Sequence, residues 1–182
     1  SVRKERQGIK AAKFIVNQLK KRGHKVNLID PLEYDLPLLD KKYKEYDEDK
    51  APENMKRLAL IYNNTDAFVF VTGEYNHGIP AAMKNLIDHF LEEYFWRPSA
   101  IVSYSAGQFG GVRAAMSLRK ILAEVGTVSI PSTFPISGVQ DSFDEDGNTI
   151  EKKYEKYVER FMDELEWYAD ALKEARKKGT PY

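Results

Sequence analysis

Two short apolar runs constrain what this chain can fold into more than anything else in it. Ala67-Phe68-Val69-Phe70-Val71-Thr72 and Ala100-Ile101-Val102-Ser103-Tyr104 are continuous rather than alternating. That is the pattern of parallel strands covered on both faces. Each run leads through a polar loop into a stretch with helical spacing. The first such helix starts at Pro80, expected at the first helical position, and runs to Tyr94 with Ala82, Met83, Leu86, Ile87, Phe90 and Leu91 inward. The second carries Ala115, Met116, Leu118, Ile121 and Leu122. Further helices are predicted over 8–22, 53–64 and 151–178, the last with Tyr154, Val158, Phe161, Leu165, Tyr168 and Leu172 three and four apart. Short strands are predicted at Lys25–Ile29 and Thr127–Ile130. The polar, tyrosine-bearing stretch 33–52 has no clean period and reads as an excursion over the surface. Alternating strands and amphipathic helices imply parallel βαβ units in a three-layer α/β/α sandwich, one domain over 1–182.

Composition narrows the function classes. The 28 Lys and Arg balance the 28 Asp and Glu, which argues against a nucleic-acid binder. With no cysteine, disulfides, thiolate metal sites and cysteine nucleophiles are excluded. No apolar run approaches the roughly 18 residues of a membrane span, and no signal-peptide pattern opens the chain. The chain begins with a loop and a helix, without a strand before them. In a five-stranded order 2-1-3-4-5 that strand would be central, so we expect several residues to precede Ser1.

In such a sheet, ligands bind at the carboxyl ends of the strands. Three loops there are unusual. Ser1-Val2-Arg3-Lys4-Glu5-Arg6-Gln7-Gly8 enters the first helix, whose amino end suits a phosphate. Ser1 can donate a hydroxyl, Arg3 can bind phosphate oxygens bidentately, and Arg6 or Gln7 can close the site. An N-cap serine followed by solvated charges explains the octapeptide equally well. Thr72-Gly73-Glu74-Tyr75-Asn76-His77-Gly78-Ile79-Pro80 is richer in aromatic and polar residues than a turn needs. Its backbone can meet the edge of a planar heterocycle, with Tyr75 and His77 as walls. His24 and His89 read as structural. In Ser105-Ala106-Gly107-Gln108-Phe109-Gly110-Gly111 the glycines permit close backbone approach, although the spacing G-x-G-x-x-G is absent. Ser142–Gly147 looks like a calcium loop but lacks two essential carboxylates and is better read as an acidic turn.

Together these loops resemble the NADPH-dependent FMN reductase family, the flavodoxin-like quinone, azo and flavin reductases. SVRKERQG is similar to the end of a G-S-x-R phosphate loop. GEYNHGIPAAMKNLIDHF resembles the hallmark P-E-Y-N-x-x-x-P and the helix after it, and SYSAGQFGGVRAAMSLRKIL the third loop and its helix. The resemblance covers nearly the whole chain in order and implies a flavodoxin-like fold binding FMN. Carried over, Ser1, Arg3 and Gln7 hold the phosphate, with Arg6 a weaker candidate. Glu74, Tyr75, Asn76 and His77 border the isoalloxazine, largely through backbone groups, and Ser105, Ala106, Gly107 and Gly110 lie along its far side. The chain departs from the family at Gly73, where proline is usual.

The implied activity is transfer of two electrons from NADPH or NADH, through the flavin N5, to a small acceptor such as a quinone, azo compound, free flavin or metal ion. No side chain need be a nucleophile and no metal site is expected. The alternatives are an electron-carrier flavodoxin or an FMN-binding sensor, and a phosphate-loop hydrolase, whose loop cysteine is missing. A cytoplasmic homodimer is expected, possibly a homotetramer, with the apolar segment Pro80–Trp96 as its interface.

Overall fold

The computed structural model describes residues 1–47 and 50–182; Glu48 and Asp49, within the tyrosine-bearing stretch, lie outside the described residues. The elements in order are α1 (Gly8–Lys21), α2 (Pro31–Tyr34), a 3-10 turn (Tyr43–Glu45), α3 (Glu53–Asn63), β1 (Phe68–Gly73) and α4 (Ala81–Asp88). After a 3-10 turn (Glu92–Tyr94) come β2 (Pro98–Tyr104), α5 (Val112–Glu124), β3 (Val128–Ile136), α6 (Val139–Ser142) and α7 (Lys152–Lys177).

Among the described residues the sheet has three parallel strands in the order β1-β2-β3. Every residue of the central β2 is buried, as the unbroken apolar run requires. Its side chains alternate between two cores. Ala100, Val102 and Tyr104 join Phe14 and Ile15 of α1 and Phe161 and Leu165 of α7. Ile101 joins Leu58 of α3, Ile87 of α4 and Leu118 of α5 on the opposite face. The three layers follow, and burying each such side chain contributes roughly 1.5–3 kcal/mol.

Four expectations are corrected. Residues 25–29 form no strand, and Leu28 stays 38% exposed. A parallel strand exists only through a neighbour's ladder, and no described segment supplies one, so the five-stranded order 2-1-3-4-5 is not formed by these residues. Pro80 is the N-cap of α4, at φ −60 and ψ 142, rather than its first helical residue. That helix ends at Asp88 instead of running to Tyr94, because the His89 carbonyl accepts from the Tyr43 amide at 2.8 Å. Finally, β3 runs to Ile136 through Pro131 and Pro135. Proline is tolerated there because β3 has one strand neighbour, and the register shifts where it faces Ser99 and Ile101.

The excursion packs its aromatic residues inward: Tyr34 is buried, and Tyr43 and Tyr46 are partly buried against the second core. His89 is 1% exposed, its Nδ1 2.8 Å from the Asn85 carbonyl, a structural histidine as expected. The acidic turn is closed by Asp144, which accepts from the Asp146 and Asn148 amides.

Candidate functional site

Hydrogen bonds and packing join the three unusual loops at the carboxyl ends of β1 and β2. Ser1 and Tyr75, 74 positions apart, place their hydroxyl oxygens 2.7 Å from each other. The loop entering α1 and the loop leaving β1 are therefore neighbours. The Arg3 amide donates to Ser1 Oγ at 3.3 Å, while the Arg3 side chain is exposed. Gln7 stands at the N-cap of α1 but gives no side-chain cap, its Nε2 donating to the Glu5 carbonyl. The first turn of α1 also lacks an acidic residue. The Lys10 amide donates to the Gln7 carbonyl at 3.0 Å, and no side chain caps the Gly8 and Ile9 amides, which leaves them to an outside acceptor.

Arg6 is committed elsewhere. It pairs bidentately with Asp30, which is 6% exposed, and its Nη1 also donates to the Ser1 carbonyl. Burial pushes the Asp30 carboxyl up, but hydrogen bonds from Arg6 and the Leu32 amide outweigh it, and the net shift is downward. Arg6 thus fastens loop 1 to the start of α2.

In the second loop Tyr75 and Gly78 exchange two backbone hydrogen bonds of 2.9 Å. Asn76 and His77 between them have φ of +50 and +63, the sign pattern of a type I′ turn. Asn and His enter that region more readily than most side chains. All three of Tyr75, Asn76 and His77 are exposed, at the rim of the site. Glu74 points the other way. Its Oε2 accepts from the Arg113 and Ala114 amides at 3.0 and 3.1 Å, and its Oε1 lies 3.6 Å from Arg113 Nη1. The carboxylate of loop 2 caps α5, where an anion is stabilised by the helix end.

In the third loop the Ser105 amide donates to the Ile136 carbonyl, and Ser105 Oγ to the Gly107 carbonyl at 2.9 Å. Ala106 and Gly107 are exposed, and the space beside Gly107 is open. Gly110 instead is buried at φ +58, with its carbonyl accepting from Ser103 Oγ, and a Cβ there would stand 3.0 Å from the Ile136 amide. It lets α5 start close against β3 rather than lining the open loop.

Tyr104, which the sequence reading treats only as strand, lies beneath loops 1 and 2. Its ring packs against Gly8 and Gly73. This explains Gly73 physically, since a Cβ there would come within 3.1 Å of the ring, and a proline would meet the same obstacle. The signal available in the sequence was the pairing of that departure with a bulky residue ending the next strand.

The arrangement offers an uncapped helix end, an exposed arginine and hydroxyls for a phosphate, beside an exposed turn and a glycine-bearing loop that a planar ring can approach. A phosphorylated flavin fits those donors. A groove of about 730 Å³ lies elsewhere, between β3 and α7, lined by residues such as Thr133, Tyr157 and Arg160. It shares no residue with the three loops. Among the described residues no cluster could hold a metal ion.

The model of the NADPH-dependent FMN reductase family matches residues 1–141. The chain belongs to this family. A quinone reductase from Pseudomonas putida KT2440 is 31% identical over 136 residues, covering 71% of this chain and 70% of that protein. An NADPH azoreductase from Bacillus sp. OY1-2 is 28% identical over 171 residues, 92% of this chain and 87% of the relative. Among solved structures, the flavoenzyme FerB from Paracoccus denitrificans, an NAD(P)H:(acceptor) oxidoreductase, superposes with a TM-score of 0.72 at 26% identity, over 96% of this chain and 93% of its own. Membership in the FMN reductase family supports the flavodoxin-like α/β fold, and residues 1–141 contain all three loops.

Proposed function

We propose that the chain is an FMN-dependent oxidoreductase that passes two electrons from NADPH or NADH to a small acceptor such as a quinone or an azo compound. The observation that carries this reading is the meeting of the phosphate-type loop and the aromatic loop through Ser1 and Tyr75, in a chain of the FMN reductase family. FMN held by these loops would supply the two-electron redox chemistry between the nicotinamide and the acceptor.

The protein's part is to bind and orient. Arg3 and the first-turn amides of α1 neutralise the phosphate. The turn Tyr75–Gly78 presents its rim to the ring, and the stretch Ser105–Gly107, exposed at Ala106 and Gly107, closes the far side. Glu74 holds that rim in place by tying loop 2 to α5. The site takes its full form in the five-stranded sheet of order 2-1-3-4-5. We place the protein in the cytoplasm, where reduced nicotinamides are available, and take it to act as a homodimer or a dimer of dimers. Pro80–Trp96 gives little support to such a contact, since Leu86, Ile87, Phe90 and Tyr94 are buried within this chain. The exposed Phe109, Val112 and Met116 beside the site support it better.

The test is an absorption spectrum of the protein after FMN is added and excess removed, followed by anaerobic NADPH. Retained yellow colour that bleaches is expected. Colour that persists under NADPH would identify a carrier or sensor instead, and failure to retain FMN would overturn the reading. Arg3→Ala is expected to weaken FMN binding by roughly tenfold or more, the worth of a charge-assisted hydrogen bond, with turnover per bound flavin little changed. Titration of flavin fluorescence and rates normalised to bound flavin check both halves.

A further inference from the structure

Tyr104 ends β2 and turns its ring toward the start of α1 and the end of β1. A Cβ on Gly8 would lie 2.0 Å from the Tyr104 hydroxyl oxygen, and one on Gly73 would lie 3.1 Å from the same atom. The phenol therefore stands where a side chain of the first residue of α1 would stand. The residue is 8% exposed, and no described residue hydrogen-bonds its hydroxyl, which keeps access to solvent, since the fully buried side-chain atom left unpaired among the described residues is Trp96 Nε1. A hydroxyl held in place by a packed ring, with no protein partner and with solvent access, is free to donate to an acceptor that a ligand brings.

The neighbouring groups are already engaged. Ser1 Oγ is held by the Tyr75 hydroxyl, and the Arg6 guanidinium by Asp30. Helix α1, 14 residues long, has neither a side-chain cap nor an acidic first turn, and such an end attracts anions. Burial first, then Tyr75, pushes the Tyr104 hydroxyl up to about 12 against the opposing field of Arg6. It remains a donor throughout the neutral range.

We propose that Tyr104 is a ligand-binding residue of this site, donating its hydroxyl hydrogen to a phosphate oxygen of FMN at the amino end of α1. The assignment rests on the flavin reading above and adds to it a donor from the floor of the sheet. No bond is made or broken. The phenol replaces, from below, the polar side chain that Gly8 lacks.

The experiment compares FMN and riboflavin affinities of the parent and Tyr104→Phe by fluorescence titration, with the thermal midpoint of each protein before flavin is added. Phenylalanine keeps the ring that packs on Gly8 and Gly73 and removes one oxygen. FMN affinity should fall roughly ten- to a hundredfold, the range for a hydrogen bond to a charged group, while riboflavin affinity is unchanged because it has no phosphate. The ³¹P resonance of bound FMN should move in the variant. Equal FMN affinity in the two proteins, or an equal loss for FMN and riboflavin, overturns the assignment while leaving the flavin reading intact. A parent that binds neither flavin overturns both.

Discussion

Gly8, Gly73 and Tyr104 form one packing unit, and its energetics can be tested residue by residue. Gly8→Ala would ordinarily favour a helix by up to about 1 kcal/mol. Here the added Cβ would lie 2.0 Å from the Tyr104 oxygen, and overpacking of that kind costs about 1–3 kcal/mol. The clash wins, so urea unfolding should show a less stable variant. Gly107→Ala is the contrast. With open space beside it it should be neutral or slightly stabilising, which the same unfolding curves would show. Both glycines are equally visible in the sequence, but their opposite sensitivities depend on a tyrosine nearly a hundred positions from Gly8. Arg6 shows the same limit. Its charge next to Arg3 suggested phosphate binding, whereas Asp30, 24 residues on, claims it through two hydrogen bonds.

Between elements, the sequence showed what each helix buries more clearly than what fastens it. The helices over 8–21, 53–63 and 152–177 and the strands at 68–73 and 98–104 stand close to where periodicity placed them. Strand β3 runs six residues past the predicted end at Ile130, through Pro131 and Pro135, and residues 25–29 form no strand. Two fastenings were invisible. Glu74 reaches across to cap α5, and Glu74→Ala should lower stability by about 0.5–2 kcal/mol, as for lost caps, with Glu74→Gln in between. Chemical denaturation of the three proteins checks the order. The second fastening joins the end of α1 to α7, where Arg22 meets Glu166, Asp163 and Glu159. Arg22 first, and then His24 against the effect of burial, hold the Glu166 carboxyl down at about 2. A depressed carboxylate stabilises the fold above its unfolded pKa, and that stability is lost as pH falls toward its folded value. The advantage of the parent over Arg22→Met should therefore be present at pH 7 and shrink between about pH 4.5 and 2. Denaturation midpoints across that range measure it, and a constant difference would show that Arg22 acts through packing alone.

At the scale of the whole molecule, the question is which surface a second copy would cover. The segment 80–96 has more apolar surface than one sheet face needs, but the second core takes it up together with Tyr34, Tyr43 and Tyr46 of the excursion. Leu86, Ile87, Phe90 and Tyr94 are consumed inside the chain. Phe109, Val112 and Met116 are 55%, 37% and 51% exposed. Val112 and Met116 lie four apart on one face of α5, and the Val112 amide donates to the Phe109 carbonyl, so the three are adjacent at the rim of the third loop. Arg113 covers one side of the Phe109 ring at 4.7 Å, which leaves the apolar stripe itself open. Covering such side chains is worth up to about 1.5–3 kcal/mol each, before the cost of ordering two molecules is subtracted. A charge placed in the stripe would have to be desolvated without a partner. Met116→Glu should therefore move a dimeric protein toward monomer in sedimentation velocity, by at least tenfold in dissociation constant. The folded chain itself should be little affected, since Met116 is half exposed. A parent that sediments as a monomer at micromolar concentration, or a variant whose association matches the parent's, would put the contact on another face. If the dimer is lost and flavin is still retained, each site is complete within one chain. If both are lost together, the second copy contributes to the rim that Phe109 begins.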